Sequence, residues 1–472
     1  MNRDEIIAKA HEFYDSGLFF RDLAELVAIP SESQTDAGRV ALETYLTVVL
    51  EPRLEALGCV VATYPNPVAG GSPLLIARRH ESDDLPTVLM YGHADVVHGM
   101  ASQWTDGLSP WELSERDGRL YGRGTADNKG QHLVNLTALS LVLDASGRLG
   151  FNLKFLFETG EEIGSPGLAR FVAEHADELA ADVLVASDGP RLDAQTPTLF
   201  LGARGGVDID LDVDLRERAY HSGNWGGLLR NPATTLAGAI GTLVDGHGRV
   251  LLASLLPGGI PVSVRDALDG IEVGTAPADP VVDSGWADTG LTAAERVFAW
   301  NTLEVIAVDA GNITEPVNAI PGRARARLQL RFVVGTDLDD LEARLRRHLD
   351  AHGYSMVGVS LGISFPASRT APDDDWVRLA KQSLERTAGR PVAVLPNIGG
   401  SLPNYVFTDI LGLPTVWMPH SYPGCRQHAP DEHLLASIAR EGLALATGLF
   451  HDIGSAADPL DASLTTHSTS RS

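Results

Sequence analysis

Five short stretches carry side chains that could do hydrolytic chemistry. The run PTVLMYGHADVV at 86–97 is apolar up to Gly92 and then delivers His93 and Asp95. Histidine is a common metal ligand, and a nearby carboxylate can fix its tautomer and ring orientation. In LYGRGTADNKG, residues 120–130, Gly122 and Gly124 bend the backbone, Asp127 follows, and a helix is predicted from Lys129. A glycine-rich loop before a helix can cradle phosphate, but this spacing is not a P-loop and an acid faces the same place. FNLKFLF at 151–157 leads to Glu161 and Glu162, DVLVA at 182–186 leads to Asp188, and PTVWM at 414–418 leads to His420, Cys425 and His428. Any one of these reads equally well as a strand-end turn or a solvated acidic loop. Their recurrence through one domain does not. Imidazoles and carboxylates without a thiolate suit zinc or manganese, and a shared carboxylate suits two metals rather than one.

The elements that must position these groups follow from periodicity. A continuous apolar run closed by glycine predicts a strand covered on both faces, as in a parallel sheet, and open α/β sheets place their sites beyond the carboxyl ends of such strands. One helix is predicted over 4–28 and a second over Arg39–Leu57, capped by Gly58. Residues 206–368 have another texture. GVDIDLDVDL at 206–215 alternates, with Val207, Ile209, Leu211, Val213 and Leu215 on one face and Asp208, Asp210, Asp212 and Asp214 on the other. Such a strand has one wet face and belongs to an antiparallel sheet. Ala324–Val334 alternates again, with Arg323, Arg325, Arg327 and Arg331 on its polar side. The order βα…ββαβ predicts a ferredoxin-like insert whose first and third strands are antiparallel neighbours, which would set the Asp face beside the Arg face. Residues 245–300, rich in Gly, Pro and Asp, read as an insertion. The expected architecture is therefore α/β: a discontinuous first domain, 1–205 and 369–472, with helices on both faces of a mixed sheet, interrupted by an α+β domain at 206–368. Residues 455–472 read as a disordered tail.

Bulk properties narrow the classes. A chain of 472 residues is too long for one core. A net charge of −25 argues against nucleic acid and anionic membrane as partners. Two cysteines, Cys59 and Cys425, make no disulfide framework and fit a reducing compartment. The first residues lack an apolar core of the signal-peptide kind, and no apolar run approaches the ~20 residues of a membrane helix. The expectation is a cytoplasmic protein.

Taken in order, GHADVV at 92–97, GRGTADNKG at 122–130, ETGEEIGSPG at 158–167, ASDGP at 186–190, YHSGNWGG at 220–227, NAIP at 318–321, GGSLPN at 399–404 and HAPDE at 428–432 resemble the dinuclear metallopeptidase family M-twenty. That family includes carnosinase-type dipeptidases, aminoacylases, glutamate carboxypeptidase and succinyl-diaminopimelate desuccinylase. Length and the long insertion are most similar to the carnosinase-type branch. The resemblance implies a zinc-exopeptidase-like catalytic domain, a lid and dimerisation domain at 206–368, and two divalent metal ions per chain, zinc first with manganese or cobalt as alternatives. It implies that His93 and Asp188 hold one metal, Glu162 and His428 the other, and that Asp127 bridges both and forms a cis peptide with Asn128. Asp95 would orient His93, and Glu161 would be the general base. Adjacent Glu161 and Glu162 can divide these roles because the segment is expected to be extended, where consecutive residues point opposite ways. His420 and His433 compete with His428 by proximity; position within HAPDE favours His428. The resemblance further implies a homodimer through the insert, with His221 and Asn318 entering the neighbour's active site, and Arg331, Ser401 and the Gly400 backbone binding the substrate carboxylate.

Two departures bear on substrate: Ile398 stands where the carnosinase-type branch has an acid before the Gly-Gly-Ser loop, and Arg191, after Asp188, has no assigned role. The expected activity is hydrolysis of an amide bond in a small substrate such as a dipeptide. The alternatives are an N-acyl amino acid deacylase or carboxypeptidase, a binding protein that kept the fold and lost turnover, and a dinuclear phosphoesterase.

Overall fold

The structure, a computed structural model, describes residues 1–275 and 280–455. The chain forms two compact units: Met1–Gly202 with Thr370–Leu395 and from Pro403 onward, and Ala203–Arg369 with Pro396–Leu402. The stretch 396–402, expected with the catalytic domain, groups with the second unit. Its polar side chains explain this: Asn397 Nδ2 donates to Phe298 O at 2.7 Å, and Ser401 Oγ donates to Arg204 O at 3.1 Å. The predicted tail at 456–472 lies outside the described residues.

The first unit is built on a mixed sheet in the order Val60–Tyr64, Leu74–Arg79, Asn152–Glu158, Thr87–His93, Val183–Ala186, Thr415–Trp417, Thr198–Phe200, Ala393–Leu395. The strands from Asn152–Glu158 to Thr415–Trp417 are parallel. Alternation along Thr87–His93 shows why its sequence is apolar throughout. Val88 and Met90 join a core with Leu133, Val134 and Leu443 from the helices Lys129–Ser146 and Ala436–Ser455, while Tyr91 packs edge-on against Phe407 and Trp417. Successive side chains of a strand face opposite ways, so both faces are covered. Parallel register then sets His93 beside Glu158.

Local breaks differ from the periodic reading. The helix expected over 4–28 is two helices, Arg3–Asp15 and Leu18–Val27, because Gly17 takes a left-handed conformation at φ 81°. The second helix runs Arg39–Thr44 and Glu51–Ala56 around a π-helical segment, Tyr45–Leu50.

The second unit has a four-stranded antiparallel sheet in the order Thr302–Asp309, Arg323–Phe332, Gly205–Asp214, Gly358–Phe365, so that Gly205–Asp214 and Arg323–Phe332, first and third along the chain, are neighbours. Val207, Ile209, Leu211 and Val213 pack with Leu328 and Leu330 against Leu236 and Leu243 of the helix Pro232–Leu243 and Leu341, Leu345 and Leu349 of the helix Leu341–Ala351. On the polar face Asp210 pairs with Arg327, Asp212 with Arg325 and Asp214 with Arg323. The stretch read as an insertion holds helices Val262–Leu268 and Ala293–Phe298, the latter opened by a capping box of Thr292 and Glu295.

Candidate active site

His93 ends its strand fully buried. Its Nδ1 lies 3.1 Å from the main-chain O of Asp95, and its Nε2 lies 2.9 Å from Asp127 Oδ1 and 3.6 Å from Asp188 Oδ2. Asp127 uses its other oxygen elsewhere: Oδ2 is 3.1 Å from His428 Nε2, which is also 3.0 Å from Glu162 Oε2. Two groups of donor atoms result, His93–Asp127–Asp188 and Asp127–Glu162–His428, with the atoms of each within 4.8 Å of one another. Asp127 is common to both. The peptide bond between Asp127 and Asn128 is cis.

Asp95 sits behind this pair. Its Oδ1 is 3.4 Å from His93 Nδ1 and accepts from Glu161 N at 3.2 Å, and its Oδ2 accepts from Glu162 N at 3.1 Å. The glutamates do not lie in an extended segment, as the sequence reading assumed. Glu161–Ile163 is a 3-10 turn closed by Gly164 in the left-handed region at φ 86°, whose N–H donates to Glu161 O at 2.8 Å. The turn, rather than strand alternation, sets the two side chains apart.

Electrostatics mark the cluster as a cation site. Burial pushes the Glu161 carboxyl well above its ordinary range, with Asp188, Asp127 and Glu162 adding to the effect. Burial and the Asp127 charge raise Glu162 to about 7 and Asp188 to about 6. Burial would lower His93, but hydrogen bonds to Asp127 and Asp95 carry it well above its ordinary value. Hydrogen bonds to Asp127 and Glu162 raise His428 to about 11. Asp127 moves the other way: burial would raise it, but His428 and His93 hold it below the usual carboxylate range. Glu162 Oε1 and Asp188 Oδ2 are buried without a hydrogen-bond partner. Like charges this close, with orphaned buried oxygens, are costly unless a cation joins them. The donor set of imidazole nitrogens and carboxylate oxygens fits a divalent metal of the zinc or manganese kind.

The competing histidines lie elsewhere. His420 is fully buried with neither ring nitrogen partnered and lies outside both donor groups. His433 contacts the Tyr422 hydroxyl at 2.7 Å and Asp431 O at 2.9 Å. Arg191 is structural: its Nη1 donates to Glu441 Oε2 at 2.5 Å and its Nε to Pro419 O at 3.2 Å. Two groups at the site escaped the sequence reading. Gln427 Nε2 donates to Asp127 Oδ2 at 3.0 Å, and Asn128 Nδ2 donates to Ser187 O at 2.8 Å. The proximity of Gln427 to His428 in sequence was the only signal for the first.

The remaining candidates fall in the second unit as two pairs. His221 and Asn318 are exposed and adjacent, since His221 pairs with Ala319 and Ser222 N donates to Asn318 O at 2.9 Å. Arg331 Nη1 donates to Ser401 Oγ at 2.8 Å, next to exposed Gly400.

Residues 89–452 match the model of peptidase family M20/M25/M40. The chain belongs to this family. Members similar to it include the cysteinylglycine-S-conjugate dipeptidase of Corynebacterium striatum, 29% identical over 425 residues that cover 87% of this chain and 85% of that protein. The Beta-Ala-His dipeptidase of Mus musculus is 29% identical over 395 residues, 79% of this chain and 80% of that protein. Among solved structures, the M20 family metallo-carboxypeptidase Sso-CP2 from Sulfolobus solfataricus superposes with a TM-score of 0.77 at 25% identity, covering 92% of this chain and 99% of that one. Human carnosine dipeptidase 1 shares the fold with a TM-score of 0.74 at 24% identity, covering 95% and 99%. The M20/M25/M40 assignment makes the chain a peptidase-class enzyme of mixed α/β architecture. Among the described residues no helix is long and apolar enough to cross a membrane.

Proposed function

We propose that this M20-family enzyme is a two-metal dipeptidase, with His93 and Asp188 holding one divalent ion, Glu162 and His428 the other, and Asp127 shared. The observation that carries this reading is the pair of donor groups meeting at one carboxylate. Bound metals would lower the pKa of an attacking water and polarise the scissile carbonyl. Glu161 takes a proton from that water as its oxygen bonds to the carbonyl carbon. It then delivers that proton to the nitrogen as the C–N bond breaks, leaving a carboxylic acid and an amine, which exchange the remaining proton to give carboxylate and ammonium. Asp95 orients His93 and, through the Glu161 and Glu162 N–H groups, fixes the glutamate turn. Arg331, Ser401 and Gly400 would receive the substrate carboxylate; a guanidinium does this through two parallel hydrogen bonds. His221 would donate to the developing oxyanion, aided by Asn318, across a homodimer formed through the second unit. The exposure and adjacency of this pair support that assignment.

Zinc is the first choice of metal on donor chemistry, and two unpaired cysteines support a reducing, cytoplasmic setting. The test is a panel of mixed dipeptides and N-acyl amino acids offered to zinc-, manganese- and cobalt-loaded protein with mass-spectrometric detection. Cleavage of dipeptides is expected. Cleavage of N-acyl amino acids alone would replace the dipeptidase reading with a deacylase, and metal binding without any cleavage would leave a binding protein.

A further inference from the structure

The loop that carries Asp127 is wrapped around a single carboxylate from the other end of the chain. Glu432 is 1% exposed. Its Oε1 accepts from the main-chain N–H groups of Gly124 at 3.0 Å, Ala126 at 2.9 Å and Asp127 at 3.2 Å. Its Oε2 accepts from Arg123 Nη1 at 2.6 Å, and its main-chain O accepts from Gly122 N at 3.1 Å. Converging backbone N–H groups make an anion-binding concavity, and here the anion is a side chain. Arg123, itself buried, is held by His98 O at 2.9 Å.

Glu432 directly follows a second, strained turn. Arg426, His428 and Asp431 all take left-handed backbone conformations, at φ 60°, 59° and 61°. Non-glycine residues adopt this region at a cost and keep it only where their surroundings over-determine it. Asp431 supplies part of that restraint by accepting from Thr105 N at 2.8 Å and Arg426 Nη1 at 3.1 Å. Glu432, the next residue, ties the end of the turn to the Asp127 loop.

We infer that Glu432 is a positioning residue that locks the Asp127 loop to the His428 turn, so that the shared carboxylate and the second metal's histidine are set as one unit. The inference rests on the two-metal reading above. Partners one step removed from a metal ligand typically change affinity or activity by ~10–100-fold when lost. Glu432→Met keeps the length of the side chain and removes every acceptor. Glu432→Gln keeps one oxygen for the three N–H groups.

The experiment is Co²⁺ titration of metal-stripped protein, read by calorimetry and by visible absorption of the bound ion. Glu432→Met should bind Co²⁺ about 10–100-fold more weakly with altered absorption bands, and Glu432→Gln should fall between it and wild type. In both, kcat should drop more than KM rises. Leu139→Ala, a core truncation in the helix Lys129–Ser146, should lose stability and keep the wild-type Co²⁺ spectrum, separating positioning from general destabilisation. A folded Glu432→Met protein with wild-type affinity and spectrum would overturn the inference. If Glu432→Met does not fold, the same result in Glu432→Gln would do so. Wild type that binds two Co²⁺ yet cleaves no dipeptide would remove the dipeptidase reading alone. Wild type that binds none would remove both.

Discussion

In the second unit Asp208, Asp210, Asp212 and Asp214 stand along one strand opposite Gln329, Arg327, Arg325 and Arg323. In the first unit Asp127, Glu161, Glu162 and Asp188 converge from three separate segments, and among the described residues no arginine or lysine pairs with any of them. The stripe is solvated and largely self-neutralised: Asp210 meets Arg327 at 2.8 Å, with Arg327 exposed and Asp210 half-buried. The convergent set is buried, and its orphaned oxygens have no such partner. Exposed ion pairs contribute little to stability, whereas buried carboxylates are held against their own solvation and need a cation. Acidic composition alone therefore says nothing about chemistry; burial of several carboxylates against two histidines, with oxygens left unpartnered, does.

That contrast can be broken at its strongest point. Asp127→Ala should lose high-affinity binding at both metal positions together, and with it turnover, as read by elemental analysis and dipeptide hydrolysis. Retention of one tight metal would show that Asp127 is not shared. Glu161→Gln should keep both metals and the fold while kcat falls by ~10²–10⁴-fold, the usual range for a lost general base. His221→Ala should cost on the order of 10²–10³ in kcat, as for a lost oxyanion donor. Mixing it with Glu161→Gln chains should restore partial activity if the site is shared between subunits, and no recovery after verified subunit exchange would end that idea.

A subtler effect follows from the titrations. Without metal, the folded state binds more protons than the unfolded chain, because Glu162 rises from 4.5 to about 7 and Asp188 from 3.8 to about 6. Stability should therefore fall as pH rises from about 4 to about 7. His428, raised from 6.5 to about 11, continues the fall above neutrality. Asp127, with its lowered pKa, opposes the trend only below 3.8. Since bound metal displaces those protons, the gain in Tm on metal addition should be larger at pH 8 than at pH 5. An equal gain at both would contradict these shifts. The smallest effect belongs to the stripe: Asp210→Asn should leave metal content unchanged and barely move the thermal melt.

Much of this was legible in residue order. The apolar strands ending at His93 and before Glu161, Asp188 and His428 announce themselves through composition, and the alternation of 206–215 announces a one-sided sheet. What escaped depended on conformations that periodicity does not encode. Gly17 splits a helix whose apolar spacing runs through it. The glutamate pair is set by a turn between two glycines rather than by a strand. Pro396–Leu402 groups with the second unit through hydrogen bonds of Asn397 and Ser401 to residues far away in sequence. Glu432 looked like the tail of a motif, and only the folded chain shows three N–H groups aimed at it.

The place of Thr415–Trp417 in the first sheet has a bearing on how the protein is made. This strand lies between Val183–Ala186 and Thr198–Phe200, yet it leaves the ribosome after everything else in the sheet. At roughly 5–20 residues per second, Val183–Ala186 waits tens of seconds for its neighbour, presenting an open, wholly apolar edge. Such an edge is a template for pairing with another chain. The second unit's own sheet is already complete by Phe365, so a nascent chain carries one finished body and one sheet with a gap in its middle. Newly made protein is accordingly most vulnerable to aggregation just before Thr415–Trp417 emerges, and a chaperone that shields that slot would raise the yield of folded enzyme.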